Sequence, residues 1–251
     1  AGMGSRLSLH TQNKPKGMIE FAGKSLLKHQ IDTFRSNGIK DISIVRGYKL
    51  EKINFDGVNY FDNFNFQTTN MVESLLCAKD KLIGNCIVTY SDLLLQDSIV
   101  KKLINSKYDI GVVVDENFEK YWKERLGNEY LEDMESLKIK NSKIVSLGDT
   151  NAQFEEVSGR YVGAIKFSGK GIQYLREICS SSKSKNLLNM LGNRKFKNWH
   201  MTDLLNTIIV SGFIVNPILI SRGWLEFDTD KDFELYNEWY KQNTLSRFIE
   251  L

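Results

Sequence analysis

The apolar residues of this chain fall into two rhythms that take turns. Over 25–36 they recur at Leu26, Leu27, Ile31 and Phe34, the spacing of one helix face, and the pattern stops at Gly38. Residues 41–45 then form a short β-rich run that ends in Arg46-Gly47-Tyr48. The exchange repeats with a helical stretch over 71–82 and a strand over 85–90 that runs into Ser91-Asp92. A helix over 97–105 follows, and then an apolar strand over 110–114 that ends at Asp115. Repeated βα order predicts a mostly parallel, doubly wound sheet. Ligands of such sheets bind beyond the carboxyl ends of the strands. The glycine-rich N-terminal loop, Asp92 and Asp115 are therefore expected along one edge.

The second half is less regular. Apolar runs at 137–139 and 144–147 flank Lys140-Asn141-Ser142-Lys143, which has the composition of a hairpin turn. Residues 161–167 read as a strong strand, 171–180 and 201–210 as helices, and 213–220 as a further strand. Trp224-Leu225-Glu226-Phe227-Asp228 leads into a helix starting near Asp230, with Thr229 and Asp232 spaced as a capping box. The polar run at 180–185 is too short for a domain linker. With no internal repeat, a single domain over 1–251 is expected.

Composition narrows the functional classes. The content of 41% hydrophobic and 26% charged residues is that of an ordinary soluble globular chain. Against 31 acidic residues stand 34 basic ones, and the net charge of +3 is too balanced for a nucleic-acid coat or a membrane-binding patch. No apolar run approaches the roughly 20 residues of a membrane span. Cys77, Cys86 and Cys179 are scattered without metal spacing, as are His10, His29 and His200. A zinc site is not indicated, and free thiols fit a reducing cytoplasm. Any anionic ligand must be held by individual cations.

Such cations stand at the start of the chain. Ala1-Gly2-Met3-Gly4-Ser5-Arg6-Leu7 is followed by Lys14-Pro15-Lys16-Gly17-Met18. A loop with little side-chain bulk exposes the backbone N–H groups of Gly2, Met3, Gly4 and Ser5 as a concave nest for phosphate oxygens. Arg6 adds a fork-shaped cation and Lys16 a point-like one. Together they predict a triphosphate site. A dinucleotide-binding loop fits less well, because Leu7 stands where its third glycine belongs. Asp92 ends an apolar strand, a place suited either to a metal ligand or to a turn cap. Alternation along 224–228 puts Glu226 and Asp228 on one face, where two carboxylates make a cation site.

In this order and spacing the motifs resemble the nucleotidyltransferases that join an NTP to a phosphorylated small molecule. That family includes sugar-1-phosphate nucleotidylyltransferases and bacterial phosphocholine cytidylyltransferases. The resemblance implies a Rossmann-like, GT-A-type fold. In the family the loop follows a buried strand ending in Leu-Ala-Ala-Gly, so a sequence beginning at Ala1 is expected to lack its first strand. Lys16 would take the α-phosphate and the transition state, Arg6 the β- and γ-phosphates, and Asp92 with Asp228 a Mg²⁺ ion, Glu226 being a further metal or acceptor ligand. Asn70 and Glu73 fit a helix N-cap and its partner, yet in the family this junction approaches the nucleobase, so Thr69 or Asn70 would also read base edges. Tyr90 and Ser91 would contact ribose or base, with Tyr48 as a weaker base contact. Residues 118–199 would build the acceptor side, with Glu155, Tyr161 and Gly163 at its rim.

Glu226-x-Asp228 resembles the Glu-x-Asp pattern of the phosphocholine-type enzymes, and with the short chain that resemblance implies CTP as donor. The acceptor would be a small phosphate or phosphonate such as phosphocholine, phosphoethanolamine, aminoethylphosphonate or a phosphorylated amino acid. A homodimer is left open. Trp122, Trp199 and Trp224 are candidates for an aromatic cage around a quaternary ammonium, although tryptophans more commonly pack cores. Two readings stand beside this one: a sugar-1-phosphate enzyme using UTP or dTTP, and a non-catalytic nucleotide-binding module.

Overall fold

The computed structural model describes residues 1–150, 153–154, 157–180 and 194–251. In chain order the strands are β1 (Glu20–Phe21), β2 (Lys24–Ser25), β3 (Ser43–Arg46), β4 (Asn59–Asp62), β5 (Cys86–Thr89) and β6 (Leu93–Leu95). They continue with β7 (Ile110–Asp115), β8 (Leu137–Lys140), β9 (Lys143–Leu147), β10 (Arg160–Phe167), β11 (Asn216–Ile220) and β12 (Trp224–Glu226). The chain condenses into two compact units, each built from non-contiguous segments.

The first unit comprises Ala1–Gln67, Thr89–Lys102 and Arg222–Leu251. Its helix Leu26–Ser36 starts where the Ser25 side chain accepts from the Lys28 amide, and it ends before Gly38, whose φ of 82° needs glycine. The face predicted from the apolar spacing is the buried one: Leu27 and Ile31 pack on Ile42, Ile44 and Ile53. β3 pairs with β4 in parallel. The decisive pairing is antiparallel, between β6 and β12, with Glu226 opposite Leu93. It continues one step further, where the Phe227 amide donates to the Asp92 carbonyl at 2.9 Å. Phe227 is fully buried against Phe21 and Tyr236, with ring centroids 5.0 Å away in each case. That anchor fixes the residue that follows it, Asp228. Thr229 and Asp232 form the predicted capping box of helix Asp230–Lys241.

The second unit comprises Thr68–Val88 and Leu103–Ser221. Its four-stranded sheet has the order β11-β7-β10-β5. β11 runs parallel to β7, but β10 runs antiparallel to it, so the sheet is mixed where βα alternation alone suggests parallel pairing. Every residue of β7 is buried, the signature of a central strand covered on both faces. Gly111 permits this closeness, since a Cβ there would lie 2.7 Å from Ile218 Cδ1. The β8–β9 hairpin closes through Asn141 and Ser142, both at positive φ, as its turn composition predicts. The helices at Asp97–Asn105 and Met201–Val210 have the predicted bounds. The helical stretch from residue 71 breaks at Cys77 into a short 3₁₀ turn, Lys79–Lys81. The helix Phe118–Leu126 and the tiny β1–β2 hairpin carry little periodic signal.

Candidate active site

The N-terminal loop turns at Gly4, which adopts a left-handed conformation (φ 66°) and opens the 3₁₀ turn Ser5–Leu7. A side chain there would be strained by φ, and its Cβ would meet Lys16 Cβ at 3.2 Å and Thr11 Cγ2 at 3.3 Å. The Thr11 hydroxyl ties the loop down, 3.1 Å from the Gly4 carbonyl and 2.8 Å from that of Leu7. Gly2 has open space around it, and Met3 is exposed. Pro15 holds an extended conformation (φ −66°) ahead of the 3₁₀ turn Lys16–Met18, so Lys16 is presented from a stiffened approach.

Lys16 is the centre of a charge cluster. Its Nζ donates to Asp92 Oδ2 at 2.8 Å and to Asp228 Oδ1 at 2.9 Å. Asp228 Oδ2 is in turn 2.7 Å from Arg6 Nη1. The side chains of Lys16, Asp92 and Asp228 are 14%, 20% and 15% exposed, whereas that of Arg6 is 71% exposed. Burial works to lower the Lys16 pKa, but the adjoining charges of Asp92 and Asp228 and their hydrogen bonds outweigh it, so the pKa is raised and the ammonium stays charged. Asp232, itself 1% exposed, orients the second carboxylate: its Oδ2 accepts from the amides of Asp228 and Thr229 at 2.9 and 2.8 Å.

One atom of the cluster is left over. Asp92 Oδ1 is buried and accepts a hydrogen bond from no described residue, although such an atom is normally paired. A hard divalent cation suits an orphaned carboxylate oxygen beside a second carboxylate. No group of three or more His, Cys, Asp or Glu able to hold a metal occurs among the described residues. An ion here would thus need further oxygens, such as phosphate and water, to complete its shell. The residues fit a hard divalent cation whose shell is completed by water or phosphate oxygens.

The other predicted residues are placed as follows. Tyr90 and Ser91 lie in the first unit, on the turn between β5 and β6, and the Ser91 Cβ closes on Gly17. Tyr48 donates its hydroxyl to the Gln12 carbonyl at 2.8 Å. Glu226 ends β12, and its carbonyl accepts the Tyr236 hydroxyl at 3.1 Å. Thr69, Asn70, Tyr161 and Gly163 belong to the second unit. Asn70 caps helix Met71–Cys77 by accepting from the Met71 amide, and its side-chain nitrogen lies 3.1 Å from His200 Nε2. Tyr161 pairs with Val114, and Gly163 (φ 85°) sits in the bulge that follows. Glu155 lies outside the described residues.

The tryptophans follow the packing alternative. Trp122, Trp199 and Trp224 are at most 2% exposed and serve as packing residues. The face of Trp122 is covered by the Arg160 guanidinium 4.2 Å away. They form no aromatic cage. Asp115 ends β7 in the second unit, and its Oδ1 accepts the Asn117 amide at 3.0 Å.

Sequence reasoning missed Gln30, the buried glutamine that holds the Asp92 turn. The available signal was a polar residue one helical turn after Leu26 on an otherwise apolar face.

The description "MobA-like NTP transferase domain" matches residues 1–200. The CTP:phosphoglutamine cytidylyltransferase of Campylobacter jejuni is 32% identical over 249 residues, covering 95% of this chain and 97% of that protein. The choline-phosphate cytidylyltransferase of Streptococcus pneumoniae is 30% identical over 112 residues, 43% of this chain and 49% of that one. Among solved structures, the CTP:phosphocholine cytidylyltransferase of S. pneumoniae superposes with a TM-score of 0.69 at 20% identity, covering 96% of both chains. The inositol-1-phosphate CTP transferase of T. maritima gives 0.68 at 15% identity, covering 100% of this chain and 95% of that one. These structures establish the GT-A-like nucleotidyltransferase fold.

Proposed function

The chain belongs to the MobA-like NTP transferase family of nucleotidyltransferases, and from that premise we propose that it transfers a cytidylyl group from CTP to a phosphorylated amino-acid derivative of the phosphoglutamine type. Full-length similarity to the C. jejuni enzyme supports this donor and acceptor. The similarity to the choline-phosphate enzyme, by contrast, spans less than half of this chain.

The chemistry asks little covalent work of the protein. An acceptor phosphate oxygen attacks the α-phosphorus of CTP in line. The new P–O bond forms as the bond to the β-phosphate breaks, and pyrophosphate leaves with that electron pair. Catalysis is the alignment and neutralisation of two polyanions. In this reading the amides of Gly2, Met3, Gly4 and Ser5 cradle the triphosphate. Arg6 neutralises its distal phosphates, and Lys16 stabilises the charge developing at the α-phosphate. Asp92 and Asp228 would hold Mg²⁺, which supplies positive charge to the phosphates when bound, with Glu226 as an auxiliary ligand. In the first unit Tyr90 and Ser91 are the proposed nucleoside contacts; the family resemblance assigns Thr69 and Asn70 to the base and Tyr161 and Gly163 to the acceptor as roles alone.

One observation carries the proposal. Residues 76 and 212 positions from Lys16 bring their carboxylates to its ammonium beside the glycine turn, and one carboxylate oxygen remains without a partner.

The test is pyrophosphate release with Mg²⁺, crossing four NTPs with phosphoglutamine, phosphocholine, phosphoethanolamine, aminoethylphosphonate and hexose-1-phosphates. Turnover in the CTP–phosphoglutamine cell is expected. Turnover with CTP and another acceptor would replace the acceptor but keep the donor. Turnover confined to UTP or dTTP with a hexose-1-phosphate would overturn the cytidylyl reading. Nucleotide binding without release under any condition would overturn catalysis.

A further inference from the structure

Gln30 is 5% exposed, on the buried face of helix Leu26–Ser36. A primary amide in such a place is costly unless its polar atoms are matched. Here they are matched by one short segment of chain. Nε2 donates to the Tyr90 carbonyl at 2.8 Å and to the Leu93 carbonyl at 2.6 Å. Oε1 accepts the Thr89 hydroxyl at 3.1 Å. The two carbonyls dictate which end of the amide carries the NH₂ group.

Tyr90 and Leu93 bracket Ser91-Asp92. With both carbonyls tied to one rigid amide, the two residues between them have little torsional freedom. The opposite side of the turn is held by the Phe227 amide on the Asp92 carbonyl. The direction in which Asp92 leaves the backbone, and so the aim of its unpartnered Oδ1, is set by these two clamps. A glutamine present only to fill the core could be exchanged for Met or Leu without consequence at Asp92. This one spends three hydrogen bonds on five consecutive residues that carry the carboxylate.

We propose that Gln30 is a positioning residue that acts through the 89–93 turn to hold Asp92 in the geometry that binds the divalent ion; the inference rests on the reading of Asp92 as a metal ligand. Outer partners that orient a metal ligand typically change affinity about 10–100-fold when removed. An indirect clamp on the backbone belongs at the lower end.

The test uses Mn²⁺ binding to the nucleotide-free protein, read by electron paramagnetic resonance, with thermal melting and steady-state kinetics alongside. In Gln30→Met, Mn²⁺ affinity is expected to fall about tenfold. The metal concentration for half-maximal rate should rise by a similar factor, while the CTP KM at saturating metal stays within about twofold. A melt that drops while Mn²⁺ affinity stays within twofold of the original would overturn the proposal and leave Gln30 as core glue. If Gln30→Met does not fold, Thr89→Val decides, because it removes only the bond that orients the amide. A loss in Mn²⁺ affinity larger than twofold supports the clamp, and an unchanged affinity overturns it. Asp92→Asn runs in parallel: if it binds Mn²⁺ as well as the unaltered protein, the reading of Asp92 itself is wrong, an outcome distinct from failure of the clamp.

Discussion

Both units of this protein bury charged side chains, but they spend them differently. In the second unit, Lys166 is 7% exposed and donates to the carbonyls of Ile104 and Ser106. Arg160, 9% exposed, donates to the Asp133 carbonyl at 2.8 Å and lies over Trp122. Asp115 accepts a backbone amide. Each satisfies a backbone group of its own unit and serves the fold. In the first unit, Lys16, Asp92 and Asp228 are turned toward one another, and a buried oxygen remains unused. A mutually paired set with a spare acceptor does more for a ligand than for stability, since burying ions is costly and their attraction roughly cancels that cost. One orphaned polar atom, rather than buried charge as such, separates the candidate site from these scaffold charges.

The sharpest way to break this comparison is to neutralise the spare carboxylate. Asp92→Asn should lower kcat about 10²–10³-fold at saturating Mg²⁺, as loss of a preorganised charge does, with a melt close to that of the unaltered chain. Retained turnover would dissolve the distinction between the units.

Lys16→Met should also lose turnover, and it separates fold from function in a second way. Removing one partner of a largely buried ion cluster destabilises by up to about 3 kcal/mol. Because Asp92 then lacks its cation and Asp228 keeps only the exposed Arg6, added Mg²⁺ or Mn²⁺ should restore much of the lost melting temperature. A melt indifferent to divalent metal would show that the carboxylates are not a cation site.

Lys166→Met probes the other unit. The carbonyls of Ile104 and Ser106 lose their donor, costing about 1–3 kcal/mol, while kcat and KM measured well below the melt should not change. A kinetic effect would mean that this buried cation does more than close a helix end.

The smallest effect expected is in the pH dependence of the second unit. Burial, then the nearby positive Arg194, holds the His200 pKa below its ordinary value of 6.5. The unfolded chain then binds a proton near pH 6.5 more readily than the folded one, so stability should decline as pH falls below 6.5 and level off once His200 is protonated in both states. His200→Asn keeps a capping side chain at the helix start and should flatten that slope. An unaltered slope would assign it to other groups.

Much of the fold was legible locally. The buried face of helix Leu26–Ser36, the turn at Asn141-Ser142 and the Thr229–Asp232 capping box follow from spacing and residue type within a dozen positions. So do the members of the charge cluster: a glycine turn followed by Lys16, and acids at the ends of apolar runs, are statements about neighbouring residues. Strand direction was not legible, because β7 and β10 look alike as apolar runs whether they pair parallel or antiparallel. Nor were the roles of the tryptophans, since exposure depends on what packs against them. The sequence by itself determined which residues carry charge, where the backbone turns and which faces are apolar, because those properties are short-ranged. Only the tertiary structure decided that Glu226 lies opposite Leu93, that Asp228 thereby meets Lys16 beside Asp92, and that Gln30 clamps the turn between them. Contacts over such separations are selected by the packing of the whole unit, and no local pattern encodes their partner.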